Sequence, residues 1–532
     1  MRLFFIILYL FVGAATWANE KAVPLYTLTA TEQLARMQAG TITSAEIVSS
    51  YLARIEGMDR QGIKIQAIIA LNPSALSLAK LRDKQRNEGK LLGPLHGTVV
   101  LVKDNIEVAS LPTTAGSLAL QQNMTQRDAP IIKKLKNAGA IILGKTNLSE
   151  WANFRSYDSI SGWSGIGGQT RNPHSLDRSP CGSSSGTGAA IAARFAALGI
   201  GTETNGSIIC PAAMNGVVGV KPTVGLLSRT HIVPISVTQD TAGPMTLSVA
   251  DAALMLEVMA GSDPTDAATS LADENKTSYS QQLTATIKGK RLGVLRSTQS
   301  SHPAIIEAFN ESLATLESLG VELVNIDALE TPDGFWDKSL KLLLIEFKQT
   351  LNHYLSNTPT INKHRTLADL ILFNAQSARE LALFDQSIFE QAQETQGYND
   401  EYEDIKQFLS DATRKNGIDK LLSEYQVDAL VAPSQTPAFL IDPIFGDSFP
   451  GGNAGAGWMA AIAGYPQVSI PMGSMKGLPL NISFIGKAWD EQLLLNIAWQ
   501  LEQAAPKLMM PSFAGSGFDH FETQKALAPL SK

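Results

Sequence analysis

The chain has 532 residues, of which 44% are hydrophobic and 17% are charged. This balance is typical of globular proteins that bury a substantial core. The formal net charge is −7, and the sequence has no long basic run, which argues against a nucleic-acid partner because phosphate binding needs clustered Lys and Arg.

The first twenty residues have the pattern of a secretory signal peptide. Arg2 precedes an apolar run over residues 3–11, and Ala18 occupies the cleavage position. The apolar run is shorter than the roughly 20 residues of a transmembrane helix, although an uncleaved anchor remains an alternative. We therefore expect removal of residues 1–18 and export of residues 19–532 to the periplasm, without stable membrane association.

Helix and strand signals alternate along most of the remaining chain. Thr43 and Glu46 have capping-box spacing ahead of an amphipathic helix, and an apolar strand over residues 99–102 ends at Lys103. A helix stops at Gly139. Further strand signals cover residues 140–143, 291–294, 321–326, 428–431, 467–470 and 482–485, and helix signals cover residues 304–319 and begin again near residue 491. This alternation predicts an α/β fold, a β-sheet covered by helices on both faces.

Residues 330–425 differ from the rest because they favour helix and contain no glycine-rich motif. We expect this variable region to be helical coverage. It either packs against the core or shapes a substrate entrance.

Residues 139–146 formally match the phosphate-binding pattern G-x-x-x-x-G-K-S/T. A phosphate-binding loop needs a flexible turn between its two glycines, whereas this segment has a strand there. The sequence therefore argues against a nucleotide site and predicts that Lys145 is a strand-end residue.

Cys181 and Cys210 are the two cysteines of the chain. Export would permit a disulfide, but two cysteines in so long a chain do not form a disulfide framework. Two small, buried, unpaired residues are the favoured interpretation. No His or carboxylate lies near either at ligand spacing, and we expect neither a metal nor a cofactor.

Residues 161–222 are rich in glycine and small hydroxyl residues, but flanking apolar blocks argue against a flexible linker. Gly182 to Gly186 match G-x-S-x-G, the nucleophile elbow of α/β-hydrolases, with Ser184 as the nucleophile. Such a site needs a downstream histidine, for which the candidates are His231, His302, His353, His364 and His520. The polar residues before Gly182 lack the strand that an elbow requires, so an esterase using Ser184 is kept as an alternative.

Several ordered motifs resemble those of the amidase signature family. They are S-P-C-G-S-S-S-G-T-G-A at 179–189, G-T-E-T-N-G-S-I-I-C-P-A at 201–212 and V-L-V-K-D-N-I at 100–106, with support at 144–154, 220–225, 240–245 and 478–486. Together they span most of residues 25–505, and their variants are most similar to those of bacterial peptide amidases. The resemblance implies a single large mixed β-sheet core.

The resemblance also assigns roles to individual residues. Ser207 is the implied nucleophile, Ser183 the bridging serine after a cis peptide bond, and Lys103 the general base. Ser184 is a supporting hydrogen-bond partner. The oxyanion and substrate-binding positions are Thr204, Asn205 and Gly206. Asn205 and Ser185 each replace a glycine of the usual motifs, and Asn205 could alter the oxyanion pocket.

Lysine acts as a base only when neutral, and its ordinary pKa is about 10.4. Burial beyond an apolar strand would lower the pKa of Lys103, whereas an ion pair with Asp104 would keep it charged. Spacing alone does not decide between these possibilities.

The expected activity is hydrolysis of a carboxylic amide, with a C-terminal peptide amide as the expected substrate, to carboxylate and ammonia through an acyl-enzyme. The partner is then a peptide or small-molecule amide. The alternatives are the esterase above, an amidotransferase-type subunit, and a binding protein that has lost turnover.

Overall fold

The computed structural model describes residues 23–327, 330–449 and 454–519. The predicted signal peptide and His520 lie outside these residues. Within the described ranges, no helix has the length and apolar character needed to cross a bilayer.

An eleven-stranded sheet organises the described chain, in the order β1-β3-β2-β6-β8-β7-β12-β13-β11-β9-β10. A separate two-stranded sheet pairs β4 with β5. The strands are β1 (Ile68–Leu71), β2 (Val99–Lys103), β3 (Ile141–Thr146), β4 (Trp163–Ser164), β5 (Gly168–Gln169), β6 (Leu198–Glu203), β7 (Val218–Lys221), β8 (Thr241–Thr246), β9 (Arg291–Leu295), β10 (Glu322–Ile326), β11 (Ala429–Pro433), β12 (Gln467–Met475) and β13 (Leu478–Ile485).

The large sheet is mixed, and this arrangement positions the site. β2 runs parallel to both β3 and β6, while β6 pairs antiparallel with β8. Because the carboxyl ends of parallel strands meet at one edge of a sheet, residues that end β2, β3 and β6 lie close together. Lys103, Lys145 and Glu203 are such residues.

Helices cover both faces of the sheet. They are α1 (Ala30–Gln38), α2 (Ser44–Ile55), α3 (Ala75–Asn87), α4 (Pro130–Asn137), α5 (Ser185–Ala192), α6 (Ile209–Asn215), α7 (Val249–Met259), α8 (Ala272–Asn275), α9 (Pro303–Ser318), α10 (Phe335–Asn357), α11 (Leu367–Ala375), α12 (Ser387–Glu394), α13 (Asp400–Thr413), α14 (Asp419–Glu424), α15 (Gly457–Ala463) and α16 (Glu491–Ala504). The predicted fold class, an α/β protein with a single large mixed sheet, is confirmed.

Local signals placed most of these elements. The Thr43–Glu46 capping box is present at the start of α2. β3 is longer than predicted, because its pairing with β2 continues to Thr146. Gly144 fits inside this strand since a Cβ there would lie 2.3 Å from the Ala70 carbonyl oxygen. This strand also lies between Gly139 and Lys145, so the segment does not form the flexible turn of a phosphate-binding loop.

The region at 330–425 is helical, as predicted, and contains α10 to α14. These helices pack on the segment that follows β3 through aromatic rings. Phe154 meets Phe347 with ring centroids 5.0 Å apart, and Trp151 meets Phe389 at 5.6 Å.

Candidate active site

Lys103 ends β2 inside the protein, with its side chain completely buried. Its Nζ lies 2.7 Å from Ser183 Oγ, 2.8 Å from Thr202 Oγ1 and 3.2 Å from the Thr202 carbonyl oxygen. The apolar strand therefore carries an amine into a dry interior, where hydroxyl and carbonyl oxygens surround it.

Asp104 does not pair with Lys103. Its Oδ1 lies 2.8 Å from Nζ of Lys145, and its Oδ2 accepts hydrogen bonds from the hydroxyl and the backbone N–H of Thr114. Lys145 also donates to the Pro112 carbonyl oxygen. The ion pair that spacing left open for Lys103 is thus formed by the neighbouring strand.

The electrostatics of Lys103 follow from these contacts. Burial lowers the pKa of Lys103 to about 7, and the negative charges of Asp240 and Glu203 only partly oppose this shift. Burial also lowers the pKa of Lys145, but there the adjacent Asp104 carboxylate favours the charged form. Of these two lysines, Lys103 is the one placed to be neutral near neutral pH.

Ser183 follows a cis peptide bond with Gly182 and is buried. A Cβ on Gly182 would lie 2.2 Å from Ser149 Oγ and 2.6 Å from Asn153 Oδ1, so only glycine fits. The backbone N–H of Ser149 donates to the Ser183 carbonyl oxygen at 3.1 Å. Close packing of this segment therefore fixes Ser183 beside Lys103.

Ser207 lies in the loop between β6 and α6 and, unlike Ser183, is partly exposed. Its carbonyl oxygen accepts a hydrogen bond of 3.1 Å from the Ser184 backbone N–H. The Glu203 carboxylate accepts from the N–H groups of Ile208 and Ile209, at 2.7 and 3.0 Å. These contacts hold an accessible hydroxyl next to the buried Ser183 segment.

The three predicted oxyanion positions lie in the same loop. Thr204 Oγ1 donates to Asp240 Oδ1 at 2.6 Å, Asn205 is exposed, and Gly206 has φ +85° with open space where a Cβ would stand. Within the described residues, the backbone N–H groups of Asn205, Gly206 and Ser207 donate to no protein acceptor. They are free to donate to a bound molecule.

Ser184 is occupied by the backbone. Its Oγ donates to the Thr202 carbonyl oxygen at 3.0 Å and accepts from the Thr202 N–H at 3.2 Å. Residues 172–180, ahead of it, form turns and isolated bridges instead of the strand of a nucleophile elbow. Ser184 thus holds in place the same Thr202 that contacts Lys103.

Cys181 and Cys210 form a disulfide, so the favoured prediction of unpaired cysteines is wrong. The two residues are 29 positions apart, and sequence spacing does not reveal that their segments meet. The contact between Ser184 and Ser207 brings them together.

A cavity of about 690 Å³ adjoins this site, and its lining includes Asn105, Thr202 and Thr204. Ser183 and Ser207 are not among the described residues that line it. α10 contributes the other side of the lining through Gln349, Thr350, His353, Tyr354 and Asn357. The helical region therefore forms part of a cavity wall, as one of its two predicted roles required. Over residues 23–327, 330–449 and 454–519, no three His, Cys, Asp or Glu side chains are grouped to hold a metal ion.

Sequence reasoning missed four residues of the site, which are Asn105, Thr202, Glu203 and Asp240. Asn105 Nδ2 donates to Thr202 Oγ1 at 2.9 Å, while Glu203 and Asp240 bind the loop that carries Ser207. All four belong to the quoted motifs, but only their partners across the sheet reveal what they do.

Comparisons with known proteins agree with this geometry. The amidase family model matches residues 46–495. A probable amidase of Arabidopsis thaliana is 37% identical over 482 residues, 89% of each chain, and a glutamyl-tRNA(Gln) amidotransferase subunit of Thermoanaerobacter pseudethanolicus is 32% identical over 498 residues, 90% of this chain and 97% of that protein. The crystal structure of the peptide amidase of Stenotrophomonas maltophilia superposes with a TM-score of 0.87 at 44% identity, covering 92% of this chain and 99% of that one. The chain therefore belongs to the amidase signature family and is an amidase, a hydrolase of carboxylic amides.

Proposed function

We propose that this amidase hydrolyses C-terminal peptide amides to carboxylate and ammonia, with Ser207, Ser183 and Lys103 as its catalytic triad. The observation that carries the triad is the environment of Lys103. Its buried Nζ lies 2.7 Å from Ser183 Oγ, and burial lowers its pKa to about 7. A general base works best with a pKa near the operating pH.

In the proposed mechanism, neutral Lys103 accepts the proton of Ser183, and Ser183 accepts the proton of Ser207. Ser207 Oγ then attacks the amide carbon, and the oxygen becomes an oxyanion stabilised by the free N–H groups of residues 205–207. One such donor typically contributes about 3–4 kcal/mol of transition-state stabilisation. The proton returns through Ser183 to the amide nitrogen, the C–N bond breaks and ammonia leaves. Water then hydrolyses the acyl-enzyme through the same relay.

The substrate class is supported by the cavity and by the similarity to a peptide amidase. Two arginines line the cavity, and each forms a bidentate pair: Arg127 with Glu107, and Arg229 with Asp266. With both cations neutralised, the lining favours an uncharged peptide end over a free carboxylate.

The triad is tested by replacing Ser207 and Ser184 separately with Ala and measuring ammonia release from peptide amides. We expect Ser207→Ala to lose roughly 10⁶-fold in kcat, as nucleophile removal does in other serine hydrolases. Ser184→Ala loses only its bonds to Thr202, so its kcat should fall about tenfold or less. Loss confined to Ser184→Ala would instead identify Ser184 as the nucleophile.

An amidotransferase-type subunit is the second candidate, because relatives carrying that name match over most of their length. The two functions differ in whether the chain works alone. If the purified chain releases ammonia from a peptide amide without a partner, it is not an obligate subunit. If it is inactive on every amide tried while Lys103, Ser183 and Ser207 are intact, the binding-protein alternative gains support.

We also propose that residues 1–18 are a cleaved signal peptide and that residues 19–532 form one amidase domain in the periplasm. No nucleic acid and no stable membrane association are part of this proposal. The disulfide supports export, since disulfides persist mainly in oxidising compartments. Mass spectrometry of the mature amino terminus and cell fractionation test it, and an intact Met1 in the cytoplasmic fraction would refute it.

A further inference from the structure

The Cys181–Cys210 disulfide joins the two segments that carry the serines. Cys181 lies two residues before Ser183, and Cys210 lies three residues after Ser207. These are the two cysteines of the whole chain. One covalent bond thus ties the buried serine segment to the loop of the partly exposed serine.

The other bonds between these segments are hydrogen bonds. The Ser184 N–H donates to the Ser207 carbonyl oxygen at 3.1 Å, and Asn215 Nδ2 donates to the Pro180 carbonyl oxygen at 2.9 Å. A hydrogen bond is easily lengthened by a fraction of an ångström, whereas a disulfide is not. The covalent bond therefore sets the limit on relative movement of the two segments.

The local backbone indicates that the cysteine side chain is what the position requires. Cys181 has φ +56°, a left-handed conformation that glycine adopts without strain and other L-residues disfavour. Its sulfur packs with that of Cys210 in a buried apolar cluster that includes Met214 and Phe439. The residue tolerates a strained backbone in order to bring its sulfur to Cys210.

We infer that the disulfide is a positioning element of the amidase: it holds Ser183 and Ser207 at the separation that proton transfer needs. This inference rests on the proposed triad. Turnover then depends on the oxidised state of the pair. Misplacing a reacting group by about 1 Å can cost roughly 10²-fold in rate, so losing the bond should lower kcat by about 10- to 100-fold and leave KM within about twofold.

The test compares kcat and KM on one peptide amide for the oxidised enzyme, the enzyme reduced with tris(2-carboxyethyl)phosphine, and the Cys181→Ala/Cys210→Ala double variant. Reduction supplies two electrons and two protons to give two thiols, while the phosphine becomes its oxide with oxygen from water. Thiol titration should find two thiols after reduction. The reduced enzyme and the double variant should show the same low kcat, and the phosphine should not change the double variant.

A matched control separates positioning from general stability. Leu313 is buried in α9, away from the triad in sequence, and Leu313→Ala destabilises the core without touching either serine segment. It should keep kcat at temperatures where it stays folded. If the double variant does not fold, reduction of the folded enzyme still decides.

Two results would overturn the inference: a kcat within twofold of the oxidised enzyme after reduction, or an equal loss in folded Leu313→Ala. The proposed triad is tested separately, because an active Ser207→Ala variant would refute it whatever the cysteines do. An inactive Ser207→Ala variant together with a fully active reduced enzyme would refute only the positioning role.

Discussion

Replacing Lys103 with Met should abolish turnover and at the same time remove a pH-dependent cost to folding. The side chain is completely buried, and its pKa is lowered from 10.5 to about 7. The unfolded chain therefore binds more protons than the folded one between pH 7 and 10.5. The cost is fully present below pH 7, decreases as pH rises through this window and vanishes above it.

The magnitude follows from the difference between the two pKa values. At pH 7 the charged amine costs about 4 kcal/mol of folding free energy, and at pH 10 about 1 kcal/mol. Met also loses the hydrogen bonds to Ser183 and Thr202, each worth about 1 kcal/mol, but that loss does not depend on pH. Between pH 7 and 10, wild type should gain about 3 kcal/mol in unfolding free energy relative to Lys103→Met.

Urea unfolding followed by tryptophan fluorescence at several pH values measures this difference, and groups that titrate in both proteins cancel. Lys145→Met is the matched control, because Lys145 is equally buried but pairs with Asp104. It leaves a buried carboxylate unpaired and should destabilise the fold by about 3–5 kcal/mol. A stability difference between wild type and Lys103→Met that does not change with pH would refute the neutral-lysine argument.

Two further predictions concern the pH dependence of catalysis. The kcat/KM of wild type should rise with pH to a plateau with a midpoint near 7, because only neutral Lys103 accepts a proton; a midpoint near 10 in ammonia-release assays would contradict this. Glu203→Gln should move that midpoint to lower pH, since the Glu203 charge raises the pKa of Lys103, while the plateau stays within about tenfold because the Gln oxygen can still accept from the Ile208 N–H. An unchanged midpoint would remove Glu203 from the electrostatics of the base.

Local features of the sequence were enough to predict much of this molecule. Capping-box spacing located α2, and the apolar run before Lys103 located β2. Motifs quoted by position gave Ser183 and Ser207 as neighbours of a lysine. Such signals act over a few residues, so they are readable before the chain is folded.

Features that depend on strand order could not be predicted in the same way. β8 pairs with both β6 and β7, although it follows them in the chain, and this order brings Asp240 to Thr204. The disulfide was missed for the same reason, since it depends on α6 returning to the segment before Ser183. The extra length of β3 came from pairing with β2 and not from its own residues.

The opposed environments of the two lysines show how the fold makes a base. Lys103 and Lys145 lie on adjacent strands and are equally buried, so desolvation disfavours both charges. Asp104, next to Lys103 in sequence, contacts Lys145 instead. The Lys103 amine is left with hydroxyl and carbonyl oxygens, which stabilise an ammonium less than a carboxylate does. A neutral amine at Lys103 therefore depends on Lys145 occupying the nearest carboxylate, and the Lys145→Met control bears on the base as well as on the stability of the fold.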